Sequence, residues 1–134
     1  MVSEDKQAEI MEIQQMQQQI EVLSNQVEEL KQHLVEIDIS KSALLEIQKT
    51  KIDTEILAQV SNGIFVKAKL MNNENVIINV GMNTTVEKPI PGAIKLLEEQ
   101  EGKITQSVEE IEKLLETVGY QAMDKINFLE NQEL

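Results

Sequence analysis

The 134 residues carry 24 acids against 12 basic residues, all lysine, for a formal net charge of −12; there is no cysteine, and Phe65, Tyr120 and Phe128 are the aromatic side chains. That inventory excludes disulfides and thiol chemistry, and a chain so acidic and without arginine is repelled by phosphate, which removes nucleic acid as a partner. No apolar run reaches the length of a membrane span, and the start MVSEDKQAEI is too polar for a secretory signal, so a cytoplasmic chain without membrane contact is expected.

The charge is unevenly placed. Residues 1–50 carry ten acids and four lysines, residues 51–90 four of each, and residues 91–134 again ten and four. Two acidic ends flank a neutral middle. The apolar content is built from Leu, Ile and Val with few aromatics, a composition that suits helices meeting along narrow seams more than a compact globule.

The first acidic stretch holds a heptad. Ile13, Met16, Ile20, Leu23, Val27, Leu30, Leu34 and Ile37 alternate at spacings of three and four, which predicts a coiled-coil helix over about residues 5–52. After Ile37 the same register falls on Lys41, Leu44 and Gln48, while Leu45 and Ile52 sit one residue further on. The expectation is a stutter, with a different face turned inward beyond Ile37. The run Gln14-Gln15-Met16-Gln17-Gln18-Gln19 is low in complexity, but the heptad passes through it, so it reads as helix surface.

In the middle the period drops to two. Ile64, Val66, Ala68 and Leu70 alternate with Phe65, Lys67 and Lys69, and Val76, Ile78 and Val80 alternate with Ile77 and Asn79. Ser61-Asn62-Gly63, Asn72-Asn73-Glu74-Asn75 and Gly81-Met82-Asn83 supply turn chemistry between the runs. With Ile56 to Val60 before and Thr84 to Glu87 after, residues 54–88 read as four short strands in two hairpins. Pro89 and Pro91 end the block, and Pro91 suits the first turn of a following helix.

The second acidic stretch repeats the heptad over 91–132: Ile94, Leu97, Glu101, Ile104, Val108, Ile111, Leu115, Val118 and Ala122, with Leu129 rejoining after Lys125. Glu101 is the acid within this seam and stands beside Gly102, so a soft point is expected there, with Gly119 a second. The fold class is therefore α+β: a long antiparallel coiled-coil helical hairpin with two central β-hairpins, in one domain spanning 1–134. An arm of about 45 helical residues is roughly 65–70 Å long, and antiparallel pairing puts both termini at one distal tip. Two isolated hairpins are marginal and leave strand edges unpaired, so edge pairing with other subunits is the simplest remedy.

The helix–two hairpins–helix order resembles the prefoldin family, and its alpha type rather than the one-hairpin beta type. The residues that carry the resemblance are Asn62-Gly63-Ile64-Phe65-Val66-Lys67-Ala68-Lys69, Val76-Ile77-Ile78-Asn79-Val80-Gly81 and Val86-Glu87-Lys88. A second glycine common in the family near residue 83 is Asn83 here, which tolerates a left-handed backbone better than most residues. The resemblance implies a hexamer of two alpha and four beta subunits, with β blocks joined into a double barrel. It also implies unfolded client proteins held between coiled-coil tips without ATP and passed to a group II chaperonin.

Within that frame the residues divide into two groups. Gly63, Ile64, Val66, Ala68, Val76, Ile78, Val80 and Gly81 are the candidates for assembly. Ile10, Met11, Ile13, Met16, Met123, Ile126, Phe128 and Leu129 are the candidates for gripping clients at the tip, where methionine's flexible thioether suits varied shapes. Met16 and Leu129 lie in the seam register and also read as its closing residues, whereas Met11, Ile126 and Phe128 lie outside it. The acidic arms read first as solvated helix faces, with a collective preference for basic clients as the sharper alternative.

No cofactor or metal is expected: His33 is the lone histidine, and neighbouring glutamates such as Glu28-Glu29 diverge by about 100° on a helix and make no acid/base pair. The glycines form no phosphate loop. An enzyme thus has no support, and the rival to an oligomeric holding chaperone is a coiled-coil adaptor or tether. A tether has no need of the β block.

Overall fold

The computed structural model describes residues 3–132. Its elements are α1 (Glu4–Lys49), β1 (Glu55–Ser61), β2 (Ile64–Lys69), β3 (Asn75–Gly81), β4 (Thr84–Pro89) and α2 (Ile90–Gln132). They divide into two compact units: residues up to 34 together with those from 102 onward, and residues 35–101.

In the first unit α1 opens on Ser3, whose Oγ accepts from the Lys6 amide at 3.2 Å, and Glu4 and Asp5 place negative charge in the first turn. The buried side chains are Ile13, Leu23 and Val27 from α1 and Val108, Val118 and Ala122 from α2. Met16, Ile20 and Leu30 on one helix, and Ile104, Ile111 and Leu115 on the other, are half-buried between them. These are the heptad positions. Each large apolar seam residue taken fully from water contributes about 1.5–3 kcal/mol, which isolated helices rich in Ile and Val need in order to persist. Glu12 meets Lys125, and Lys31 lies 3.4 Å from Glu112, so the two strands of the pair run antiparallel.

In the second unit the seam keeps its register through Leu44 and then shifts the opposite way from the one the sequence suggested: Gln48, the next register position, is exposed and Ile47 is half-buried. Lys41, Leu44 and Ile47 stay on the inner face after the buried Ile37, while Leu45 and Ile52 are 47% and 53% exposed. The lysine is tolerated because Glu101, the acid of the α2 seam, sits opposite: Lys41 Nζ is 2.9 Å from Glu101 Oε2. The two polar seam residues satisfy each other, so the register passes through Lys41 to Leu44 and Glu101 is no isolated charge.

α1 ends at Lys49 rather than near residue 52. The Thr50 hydroxyl donates to the Glu46 carbonyl at 2.7 Å, and Asn73 Nδ2 donates to the Thr50 carbonyl at 3.0 Å, closing the helix from outside. Asp53 then turns through a left-handed conformation at φ 70°, and its amide donates to the Leu70 carbonyl while the Leu70 amide donates to Thr54. Asn72 Oδ1 accepts the amides of Glu74 and Asn75 and so shapes the link between the hairpins.

The hairpins are separate two-stranded antiparallel sheets, β1–β2 and β3–β4. Their registers match: Glu55↔Lys69 to Gln59↔Phe65 in one, Asn75↔Pro89 to Asn79↔Thr85 in the other, each followed by a one-residue slip before the turn, at Val60 and at Val80. The turns differ. In the first, Gly63 takes positive φ (79°) and Asn62 does not; in the second Met82 (50°) and Asn83 (61°) both do, as in the paired left-handed turns that suit hairpin twist. Gly81 sits at φ 114° with its amide held by Asn79 Oδ1 at 2.9 Å. A methionine in a left-handed conformation costs about 1–2 kcal/mol relative to glycine.

β4 passes into α2 without a loop. Ile90 is fully buried, its amide donates to the Glu74 carbonyl at 2.9 Å, and Pro91 follows it in the helix's first turn, where no amide donor is needed.

Candidate interaction surfaces

The hairpins leave most of their apolar surface open. One face of β1–β2 pairs Ile56 with Ala68 and Ala58 with Val66; the other pairs Leu57 with Lys67 and Gln59 with Phe65. Ala68 is half-buried, whereas Ile64, Val66, Leu57 and Phe65 are all exposed. In β3–β4, Val76 and Ile78 are half-buried, and Ile77 and Val80 are exposed, Ile77 to 75%. Val76, Ile78 and Val80 form one wall of an open, mostly apolar groove of about 760 Å³, completed by Leu44 of α1 and Ala93 and Leu97 of α2. Every strand has one edge without a ladder partner, because each sheet has only two strands. Gly63 supplies left-handed backbone in the first turn, whereas Gly81 sits at the register slip before the second, which Met82 and Asn83 make.

A second apolar set lies in the first unit where the early turns of α1 face the late turns of α2. Met11 and Met123 are each 61% exposed, Phe128 is 54% exposed and Ile10 is open as well. Ile126, Met16 and Leu129 are half-buried, and Ile13 is buried in the seam. The tip candidates thus split into four side chains presented to solvent and four that wholly or partly close the helix pair. Lys125 occupies a seam position there and is met by the Glu12 carboxylate across the pair, the same solution found at Lys41.

The structure alters the ionisation of Lys41. Its hydrogen bond to the Glu101 carboxylate, assisted by the nearby Asp38 and Glu98, raises its pKa above the ordinary 10.5 against the opposing effect of partial burial. Among the described residues no three His, Asp or Glu side chains converge as metal ligands. No described helix is long and apolar enough to cross a membrane.

Sequence reasoning missed three features. The Lys41–Glu101 and Glu12–Lys125 pairings could have been found by laying the two heptads antiparallel, since both lysines fall at seam positions. The third is an open groove on the first unit beside Gly119, lined by Ile20, Ala122, Met123, Ile126 and the exposed ring of Tyr120. Its only signal was a glycine inside a helix.

Comparison with known proteins agrees with this architecture. The prefoldin family model, that of a prefoldin subunit, matches residues 16–132. The prefoldin subunit alpha of Methanococcus aeolicus is 29% identical over 132 residues, spanning 90% of this chain and 92% of its own. That of Methanococcus maripaludis is 32% identical over 106 residues, 76% of this chain and 69% of its own. A chain of the filamentous PFD of Methanocaldococcus jannaschii, solved by cryo-EM, superposes with a TM-score of 0.78 at 20% identity, over 86% of this chain and 95% of that one; at that identity the likeness speaks for the fold. Two long helices, two hairpins between them and alpha-subunit relatives that cover most of the chain place it in the prefoldin family of chaperone subunits, on the alpha side.

Proposed function

We propose that the chain is the alpha-type subunit of an ATP-independent holding chaperone, assembled through its hairpins and gripping unfolded proteins at the terminal end of its helix pair. The observation that carries this reading is the pairing of two exposed apolar surfaces on one chain: the hairpin faces and edges, and the set Ile10, Met11, Met123 and Phe128. The first is sheet surface that stable proteins cover by strand pairing. The second is scattered and half methionine, whose flexible thioether suits clients of varied shape. A tether that only spaces its partners requires neither.

In this reading the β blocks of two alpha and four beta subunits close into an intersubunit barrel, burying Ile64, Val66 and Val80, and the clients pass on to a group II chaperonin. Mixing the chain with beta-type prefoldin subunits should give a hexamer by light scattering, and that complex should suppress aggregation of a denatured client without nucleotide. Removing residues 1–12 and 123–134 should leave the hexamer and abolish most of the suppression. A truncated complex that suppresses at full strength would show the grip to lie elsewhere. An intact chain that never joins a larger complex would sink the subunit reading itself.

A further inference from the structure

We infer that the groove beside Gly119 receives a segment of client chain in which apolar residues are interspersed with lysine or arginine. This rests on the holding reading above and names the class of segment it favours.

Gly119 is the starting point. It lies in the interior of α2, where glycine is among the poorest helix formers. Neither usual reason for a glycine applies: its φ is not positive, and an added Cβ would meet nothing within 4 Å. What the missing side chain supplies is open volume. That volume is part of a groove of about 450 Å³ whose walls are Ile20 of α1 and Ala122, Met123 and Ile126 of α2. The size falls within the roughly 300–1,000 Å³ of typical ligand clefts, but the groove is open to solvent, which fits a chain segment better than an enclosed molecule. Met123 gives one wall a side chain that adapts to what lies against it, and the exposed Tyr120 side chain lines the groove as well.

Charge decides the rest of the segment's character. Glu116 stands on the groove's rim, and the unit as a whole holds fourteen acids against five lysines, a net −9. A lysine or arginine whose aliphatic stem follows the apolar floor can set its head beside Glu116, within the negative field of the unit. A second copy of the same unit brings the same negative charge and is disfavoured as the occupant. An acidic apolar segment is disfavoured for the same reason.

The test uses the full chain assembled with beta-type subunits and two short unstructured fluorescent peptides of equal apolar content, one carrying lysines and one carrying glutamates at the same positions. By anisotropy at low salt the lysine peptide should bind about tenfold more tightly, and the gap should narrow as salt is raised. Gly119→Leu fills the groove and should weaken the lysine peptide by about tenfold, while the better helix former keeps the melting temperature level or raises it. Gly119→Ala, a smaller filling with the same benefit to the helix, should weaken it by roughly twofold to threefold, and Glu116→Gln by a similar factor at low salt only.

Wild-type affinity in Gly119→Leu, or equal binding of the two peptides, overturns the inference. So does a change in oligomer size on Gly119→Leu with peptide affinity intact, which would assign the groove to subunit contact. These outcomes leave the holding reading standing if the wild-type complex still suppresses aggregation. If it does not suppress aggregation, the holding reading fails first.

Discussion

The helix pair and the hairpins solve the same problem in opposite ways. In the helices the apolar seam residues are covered within the chain: Val27 and Val118 are each only 6% exposed, against a partner helix of the same molecule. In the hairpins comparable residues, Leu57, Phe65 and Ile77, stand open with no second sheet over them. The contrast teaches where each part's stability is to be sought. A seam that is complete in one chain is a property of that chain, whereas a two-stranded sheet with open faces and edges is marginal until another surface covers it.

The largest effect is expected where the contrast is broken on the hairpin side. The double substitution Val66→Asp and Ile78→Asp puts charge on surfaces that assembly would bury, and should abolish the complex with beta-type subunits in light scattering at micromolar concentration. Circular dichroism of the free chain should keep its helical signal, because the seam does not depend on those residues. A double variant that still runs as the full complex would remove the hairpins from the interface.

An intermediate effect is expected on the seam side. Leu23→Ala leaves a gap between the helices and should cost about 2–4 kcal/mol in denaturant unfolding of the free chain. Complex size at low temperature should not change. If assembly is lost in proportion to helix stability, the two regions are not the separate contributors described above.

The smallest effect concerns Lys41. Its pKa is raised in the folded chain, so the stabilisation it brings is present below the ordinary lysine value of 10.5 and fades as pH climbs through the raised value. Melting curves between neutral pH and that range should therefore show a steeper alkaline loss for the native chain than for Lys41→Met paired with Glu101→Leu. The effect is modest because both side chains keep some solvent access. At neutral pH either single substitution should be less stable than the pair, since each strands one polar group in the seam. Additive single effects would show that the contact does not act as a unit.

Most of the fold was legible because periodicity reports burial directly. The spacing from Ile13 to Ile37 and from Ile94 to Leu129 picks out the residues that the helices turn inward, and alternation around Val66 and Ile78 marks the strands. The errors have physical causes. A search for apolar repeats rejects Lys41 and prefers Leu45, because it cannot see that Glu101, far along the chain, neutralises the lysine across the seam. The end of α1 was misplaced because Asn73 helps to close it from a distant loop. The site was less legible than the fold. Exposure of Met11 and Phe128 follows from their lying off the heptad, but Ile126, equally off it, is half-buried, and the Gly119 groove exists only once two helices are side by side.

The junction at Ile90 has a mechanical consequence. β4 and α2 share a continuous backbone with no intervening loop, and the residue at the joint is fully buried. α1 instead leaves through Thr50–Thr54, held by separate hydrogen bonds from Asn73, Asp53 and Leu70. Hydrogen bonds in an exposed link open locally at low cost, whereas the Ile90 joint has no loop and is fully buried. Within this unit α2 is thus the stiff member and α1 the compliant one: torque on the hairpins passes into α2, while slack is taken up where α1 ends. Amide exchange should report it, with Asp53 and Leu70 opening before Ile90.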